Sequence, residues 1–250
     1  MSISLARHHR VSSIDPPGRL GRSRSARAAR VRSALFLLFA AFSLAAQSAL
    51  ANGCKGSPRK TDNFVDIDAS WRADPGRPSV EENRLKVKAS EDGKTLIYKG
   101  IRLDQGEICV TLRSPNVYSD ASATEAGIVF RAVRIPATDD YSYCFLALSP
   151  DGSVRLRNCR VEPSWVLSKD WPNVSGIHTG RGASNDLRVT LRRGALGTVV
   201  TFWINETKLD LGSIPFPPLL GGGELGLRAV SEDGATNTWK FSDFAVTELP

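Results

Sequence analysis

Apolar and polar positions alternate with a period of two along much of the chain from Thr61 onward. In Leu85–Ala89 the apolar residues are separated by lysines, and in Leu187–Arg192 they are separated by arginine and threonine. Successive side chains of a strand point to opposite faces of its sheet. The pattern therefore predicts strands with one face buried and the other face in water.

Other apolar runs indicate strands whose second face is also partly covered: Ile108–Leu112, Ile128–Val133, Tyr143–Leu148, Val199–Ile204 and Leu225–Val230. Turn-forming triplets separate the predicted strands: Glu91-Asp92-Gly93, Pro150-Asp151-Gly152, Gly221-Gly222-Gly223 and Glu232-Asp233-Gly234. About ten to twelve short strands at this spacing, with no helical periodicity, predict an all-β sandwich or barrel. We expect a single domain over 62–250, preceded by a short extension at 52–61.

A long irregular connection is expected between the strands that end near Val161 and begin at Asp186. It contains two tryptophans, Trp165 and Trp171, together with two prolines and three glycines. Connections of this length are unusual in a compact domain and are often functional.

Residues 1–51 have the features of an export leader. An Arg-rich region between Arg24 and Arg32 precedes the apolar run Ala34–Ala46, and Ala49-Leu50-Ala51 supplies a small-residue cleavage site. The run is shorter than the ~20 apolar residues of a membrane span, so we rank an uncleaved anchor below cleavage after Ala51. A lipoprotein linked through Cys54 ranks lower still. The stretch ahead of the Arg-rich region is unusually long for a signal peptide, which makes Val31 an alternative start.

The leader also carries the whole charge excess of the chain. The net charge is +7, and residues 1–51 hold eight arginines and one acid, so residues 52–250 are balanced. No field remains there to hold a polyanion, which argues against nucleic acid as a general partner. We expect a periplasmic or secreted protein that meets a membrane only through its leader.

The four cysteines all follow the leader, and an even number in an exported chain favours disulfides. If Asp151-Gly152 is a two-residue primed turn, opposed positions add up to 303, which places Cys144 directly opposite Cys159. Opposed Cα atoms lie within disulfide range. By elimination, Cys54 is expected to pair with Cys109.

An ordered series of short motifs resembles the concanavalin A-like lectin/glucanase superfamily. The resemblance is greatest to its bacterial branch of laminin-G-like and 3-keto-disaccharide hydrolase-type domains, and it runs from about Asp62 to Val246. The motifs are Asp62-Asn63-Phe64, Trp71, Ala126–Arg131, Tyr143-x-Phe145, Pro150-Asp151-Gly152, Trp165, Trp171-x-x-x-Ser175-x-Ile177-x-x-Gly180, Asn185-x-Leu187-x-Val189, Phe202-Trp203-Ile204-Asn205, Gly226-Leu227 and Phe241–Phe244 with Val246. One departure is Glu206, where the branch usually has glycine.

The resemblance implies a jelly roll of two antiparallel sheets, with ligands on the concave face or its rim loops. It does not imply an activity, because this fold carries enzymes and binding modules alike. The glucanase branch uses alternating acids on one strand, E-x-D-x-x-E, so that two carboxylates flank one glycosidic bond. The chain has no such run. Its adjacent acid pairs are expected to be solvated loop residues: Glu81-Glu82, Asp139-Asp140 and Glu232-Asp233.

Five residues are candidates for ligand binding. Arg131 follows an apolar run, so it is either paired with a buried acid or aimed into a cleft. Tyr143 is either a platform for sugar stacking or part of the core. Trp165 and Trp171 either close one end of the sandwich, which we favour, or form a stacking rim. His178, the one histidine after the leader, is more easily explained as a loop residue than as a catalytic base.

No cofactor or metal site is predicted. Relatives bind calcium through loop acids, and Asp139-Asp140 and Asp233 could contribute, but the chain has no D-x-[DN]-x-[DN]-G run. The first functional hypothesis is an exported, non-catalytic module of the cell envelope that binds a glycan. The alternatives are a hydrolase of a modified disaccharide and a laminin-G-like module for protein–protein adhesion.

Overall fold

Two antiparallel β-sheets pack face to face around one large apolar core, which confirms the predicted all-β jelly-roll sandwich. The structure is a computed structural model that describes residues 53–74, 78–138, 140–162, 165–210, 216, 217, 219 and 221–249. The predicted leader at 1–51, with Val31 and the cleavage site after Ala51, lies outside the described residues. Within them no helix is long and apolar enough to cross a membrane.

The described residues form the following strands: β1 Ser57–Asp62, β2 Trp71–Asp74, β3 Ser79–Glu81, β4 Arg84–Ala89, β5 Lys94–Leu103, β6 Gly106–Arg113, β7 Glu125–Arg134, β8 Tyr141–Leu148, β9 Val154–Glu162, β10 Trp165–Trp171, β11 Ser184–Gly194, β12 Gly197–Ile204, β13 Thr207–Leu209, β14 Gly223–Val230 and β15 Asn237–Glu248. Every run that the alternation pattern singled out falls within a strand.

Sheet A has the strand order β13-β12-β11-β6-β15-β4-β3, and β1 also pairs with β15. Sheet B has the order β10-β9-β8-β7-β14-β5-β2. The expected extension at 52–61 thus includes most of β1, which is part of a sheet. The core between the sheets is rich in aromatic residues, and its largest fully buried side chain is that of Trp239.

The connection before β11 is more regular than expected. Residues Trp165–Trp171 form β10, an edge strand that pairs with β9 in sheet B. Leu167 of this strand is buried in the core, whereas Val166 is exposed. Three apolar residues, Trp165–Leu167, precede three polar ones in this segment, so it has no period-two alternation and the sequence predicts an irregular connection. The pairing with β9 also shifts in register between Leu167 and Lys169.

The disulfide between Cys144 and Cys159 is present, with Cα atoms 4.2 Å apart. The turn, however, differs from the two-residue primed turn that the sequence predicts at Asp151-Gly152. Gly152 has a φ of +89°, and the Ser149 N–H donates to the Ser153 carbonyl at 2.9 Å. The loop therefore has three residues, Pro150 to Gly152, and opposed positions beside it add up to 302.

A bulge on β9 restores the predicted pairing of the two cysteines. Asn158 has a φ of +59°, and the register between β9 and β10 shifts in the same region. A bulge places two residues of one strand opposite one residue of its partner, which moves the pairing by one position. The pair was therefore predicted correctly from an incorrect register, because the loop and the bulge compensate.

The second disulfide, Cys54–Cys109, is also present and holds the N-terminal segment against the outer face of sheet A. The carbonyl of Gly53 accepts a hydrogen bond from Arg188, which is 8 % exposed. Thr190, two positions along β11, is also buried. The expectation that the polar face of this strand lies in water is wrong for both residues, because a segment distant in sequence covers them.

Candidate functional site

A second apolar cluster lies on the outer face of sheet B, on the side away from the core. Its buried members are Ile97, Val129, Ala132, Phe145 and Ala147, and the half-buried residues Tyr141, Tyr143 and Val230 pack against them. Outer faces of antiparallel sheets are commonly polar. The five buried members are at most 3 % exposed, so a ligand on this face would contact the half-buried tyrosines and the polar groups that cover them.

Two glycines lie on adjacent strands of this face. Gly127 of β7 pairs with Ala147 of β8 on one side and with Arg228 of β14 on the other. Gly226 of β14 pairs with Val129 of β7. Both are buried, and a Cβ atom would lie 1.9 Å from the Leu146 carbonyl oxygen at Gly127 and 2.0 Å from that of Leu96 at Gly226, so the close approach of the neighbouring strands requires glycine at both positions.

Arg228 lies over the aromatic part of the floor. Its Cζ atom is 6.0 Å from the ring centre of Tyr143 and 5.9 Å from that of Phe145. Its Nη1 donates to Thr95 Oγ1 at 2.6 Å, and its Nη2 donates to the carbonyl of Asp92 at 2.9 Å. These contacts hold the planar cation in one orientation above the two rings.

Two further arginines stand on the outer face of β9. Arg155 forms an ion pair with Glu125 at 3.2 Å, and both side chains are less than one-fifth exposed. Arg157 forms a more exposed ion pair with Asp170 of β10 at 3.1 Å. Arginine and carboxylate groups in pairs of this kind can exchange hydrogen bonds with the hydroxyl groups of a ligand.

A pocket of about 280 Å³ opens at one end of the face, beside β8. It is lined by Tyr141, Tyr143, Asn158 and the partly exposed Ile135 and Val166. Burial raises the pKa of the Tyr141 hydroxyl, and the carboxylate of Glu224 raises it further. This phenol therefore stays protonated near neutral pH, donates to the Glu224 carboxylate and can accept a hydrogen bond from a ligand.

Of the predicted ligand residues, Tyr143 alone reaches this pocket within the described side chains. It shares its face with Phe145, as the alternation indicates, but it packs on the outer cluster and not in the core between the sheets. The backbone of Trp165 pairs with Glu162 at the start of β10, and its side chain lies outside the described part of the structure.

Arg131 takes neither of the two roles expected for it. It sits in a bulge of β7 with a φ of +55°, which turns its side chain out of the strand's regular alternation. Its Nη2 donates to the carbonyl of Pro217 at 2.7 Å, and its Cζ lies 5.5 Å from the ring centre of Phe216, a core residue. Burial lowers the pKa of this guanidinium, which remains charged near neutral pH.

Trp171 closes the core edge, as favoured from the sequence. Its ring packs against Phe202 of the core, with ring centres 6.3 Å apart. Its Nε1–H donates to the carbonyl of Asp210 at 2.9 Å, so the buried part of the indole has its polar group satisfied.

His178 is an exposed loop residue that helps to close the loop before β11. Its backbone N–H donates to Asn185 Oδ1 at 2.8 Å, and Asn185 Nδ2 donates back to its carbonyl at 2.8 Å. The ring atom Nδ1 lies 2.8 Å from the carbonyl of Ser184. These contacts tie His178 to β11 of sheet A and not to the outer face of sheet B.

The acids on the outer face of sheet B do not form a glycosidase pair between Glu125 and Glu224. In the ladder of β14 with β7, Glu224 is opposite Ala132 and Val230 is opposite Glu125. Six residues of strand separate the two positions by about 20 Å. Two catalytic carboxyls need a separation of about 5–9.5 Å.

The acid pair Glu232-Asp233 is only half solvated. Asp233 is exposed, but Glu232 is 6 % exposed, so the expectation of a loop acid in water is wrong for Glu232. The described residues contain no cluster of three or more His, Cys, Asp or Glu that could hold a metal ion. Asp139, one of the acids considered for calcium, lies outside these residues.

Sequence reasoning missed Arg155, Arg228 and Tyr141. Arg155 and Arg228 are each next to core residues of their own strands, and Tyr141 is two positions from Tyr143, so the alternation places all three on the outer face. The missing information was which of the outer faces carries an apolar floor.

No protein-family model matches the chain, and no curated protein matches it in sequence. The structure is similar to the laminarinase catalytic domain from Thermotoga maritima MSB8, with a TM-score of 0.54 and 9% identity over 78% of this chain and 99% of that one. It is also similar to the metal-free carbohydrate recognition domain of Emp46p, with a TM-score of 0.53 and 13% identity over 77% of this chain and 97% of that domain. Identities this low show the fold alone: the chain has the concanavalin A-like jelly-roll fold.

Proposed function

We propose that the protein is an exported, non-catalytic module of the cell envelope that binds a glycan on the outer face of sheet B. The observation that carries the proposal is the pocket at the end of that face, which is lined by Tyr141 and Tyr143, with Arg228 held over the ring of Tyr143. Sugars offer an apolar face for stacking and hydroxyl groups for polar recognition.

Two structural neighbours support a saccharide ligand, since one is a laminarinase catalytic domain and the other a carbohydrate recognition domain. Glu125 and Glu224 of this face are too far apart to flank one glycosidic bond. Two disulfides suit a compartment outside the cytoplasm.

Changing Tyr143 to alanine is expected to weaken glycan binding about fivefold to tenfold, because one sugar–aromatic contact contributes about 1 kcal/mol. The wild-type dissociation constant is expected in the micromolar to millimolar range. Calorimetry against a panel of envelope and plant glycans measures both. The matched control is Tyr118→Ala. Tyr118 is in the loop between β6 and β7, where its ring stacks with Arg181, and it lies outside the site.

Two outcomes would overturn the proposal. No heat from any glycan, with a folded protein, would favour the laminin-G-like adhesion module. Repeated turnover of a disaccharide, including a 3-keto-disaccharide, would establish the hydrolase instead.

The exported form is expected to begin at Asn52, because Ala49-Leu50-Ala51 provides small residues at the cleavage site. N-terminal sequencing of the protein recovered outside the cytoplasm tests this prediction. A lipid-modified Cys54 or a retained Arg-rich N-terminus would contradict it.

A further inference from the structure

A second polar pocket, of about 300 Å³, lies on the outer face of sheet A. The residues that matter in it are Lys55, Glu107, Arg188, Arg192, Trp203 and Lys208. It belongs to the other sheet from the glycan face, and no part of the proposed function uses it.

The strand register gathers these side chains. Arg188 of β11 is opposite Trp203 of β12, and Trp203 is opposite Lys208 of β13. Arg188 is also opposite Cys109 of β6, where the disulfide to Cys54 holds the N-terminal segment and brings Lys55 to the rim. The pocket therefore joins residues of β6, β11, β12, β13 and the N-terminal segment.

Arg188 is a buried cation without a carboxylate partner among the described residues. Its guanidinium lies 4.5 Å from the ring centre of Trp203, and Nη1 donates to the carbonyl of Gly53. Its Nε–H is buried and has no acceptor in the described structure. Buried donors are rarely left unsatisfied, because each costs about 1–3 kcal/mol.

The charge of the pocket is strongly positive. Lys55, Arg188, Arg192 and Lys208 are cationic, and the one acid in the lining is Glu107. Glu107 is itself occupied, since Oε2 accepts from the Lys55 backbone at 2.6 Å and Oε1 accepts from Thr190 at 3.2 Å. A concave site with excess charge of one sign attracts ligands of the opposite sign.

We propose that this pocket is a binding site for an oxyanion group, such as the carboxylate of an acidic sugar or a sulfate. An oxyanion supplies several acceptors to the forked donors of Arg188, and it balances the charge of Lys208 and Arg192 at the rim. The cavity has room for one ligand group of about the size of a monosaccharide.

Calorimetric titration with sodium sulfate, sodium glucuronate and neutral glucose tests the site, using protein purified after expression of the full chain. The wild type is expected to bind at least one anion in the millimolar range and not to bind glucose here. Arg188→Met is expected to weaken the binding at least about tenfold, because it removes charge-assisted hydrogen bonds. Lys208→Gln should weaken the binding about threefold. Because Lys208 is exposed, this variant should fold normally, and it tests the site even if Arg188→Met does not fold.

Two controls separate this site from general charge effects and from the glycan face. Arg193→Gln removes an exposed arginine of the same strand, ion-paired with Asp104, and should leave anion binding unchanged. Tyr143→Ala should leave it unchanged as well. Sulfate binding alone identifies a tetrahedral anion, and glucuronate binding alone identifies a sugar carboxylate. No binding of either anion, or equal binding by wild type and both pocket variants, would overturn the proposal.

Discussion

Replacing both Cys54 and Cys109 with alanine is expected to lower the free energy of unfolding by about 4 kcal/mol. The bridge spans 55 residues, and closing a loop of that length removes a large conformational entropy from the unfolded chain. In a domain of this size the melting temperature should fall by about 10 °C, which calorimetry or circular dichroism measures. Loss of the bridge also frees the N-terminal segment, whose Gly53 carbonyl accepts a hydrogen bond from Arg188.

The shorter bridge provides the comparison. Cys144 and Cys159 are 15 residues apart, so replacing both with alanine should cost about 3 kcal/mol. If the Cys54–Cys109 pair costs clearly less than this, then the N-terminal segment is not held against sheet A as described.

Changing Glu232 to alanine is expected to cost about 3 kcal/mol, the second large effect. The Glu232 carboxylate accepts hydrogen bonds from the Ser119 N–H at 2.8 Å, from Asn237 Nδ2 at 2.7 Å and from the Thr124 hydroxyl. It thereby joins the loop between β6 and β7 to the start of β15. Removing it leaves several buried donors without an acceptor. Asp233→Ala, at the exposed neighbour, should change stability by less than about 0.5 kcal/mol.

The same carboxylate makes stability depend on pH in the acid range. Burial acts to raise the pKa of Glu232, but the hydrogen bonds from Thr124 and Ser119 outweigh it and lower the pKa from 4.5 to about 2. A carboxyl with a lowered pKa in the folded state stabilises the protein above its unfolded pKa. This contribution is therefore expected in full above about pH 4.5 and should be lost as the pH falls towards 2.

Glu232→Gln isolates this effect, because it keeps the shape of the side chain but cannot titrate. Urea unfolding at several pH values between 2 and 6 should show a shallower acid loss in this variant than in the wild type. An identical pH profile in both proteins would contradict the assignment of the shift to Glu232.

Anion binding on sheet A and glycan binding on sheet B need not depend on each other, since the two sites use opposite faces of the sandwich. A ligand that carries both neutral sugars and acidic groups would have to reach around the domain to occupy both. The variants of Tyr143 and Arg188 therefore report on separate sites, and a loss confined to one of them assigns the binding that was measured.

The sequence by itself determined the strands with clear alternation or long apolar runs, the sandwich and both disulfide pairs, but it missed β10. Alternation states which residues of a strand share a face, and that information is local. The same pattern placed Phe145 and Tyr143 on one face. The turn-forming triplets were also assigned correctly, since Gly93, Gly152 and Gly234 have positive φ angles.

Only the tertiary structure decided which outer faces are covered and where irregular residues point. The bulges at Arg131 and Asn158 each add one residue to a strand, and such an insertion depends on how the neighbouring strands pair. The sequence places Glu232 in a polar turn, and it places Arg188 on the polar face of a strand because Arg188 alternates with Leu187 and Val189. Both are buried by segments distant in sequence, through Thr124 in one case and Gly53 in the other. Alternation with a period of two cannot predict these hydrogen bonds, because their partners are more than a hundred positions apart in the sequence.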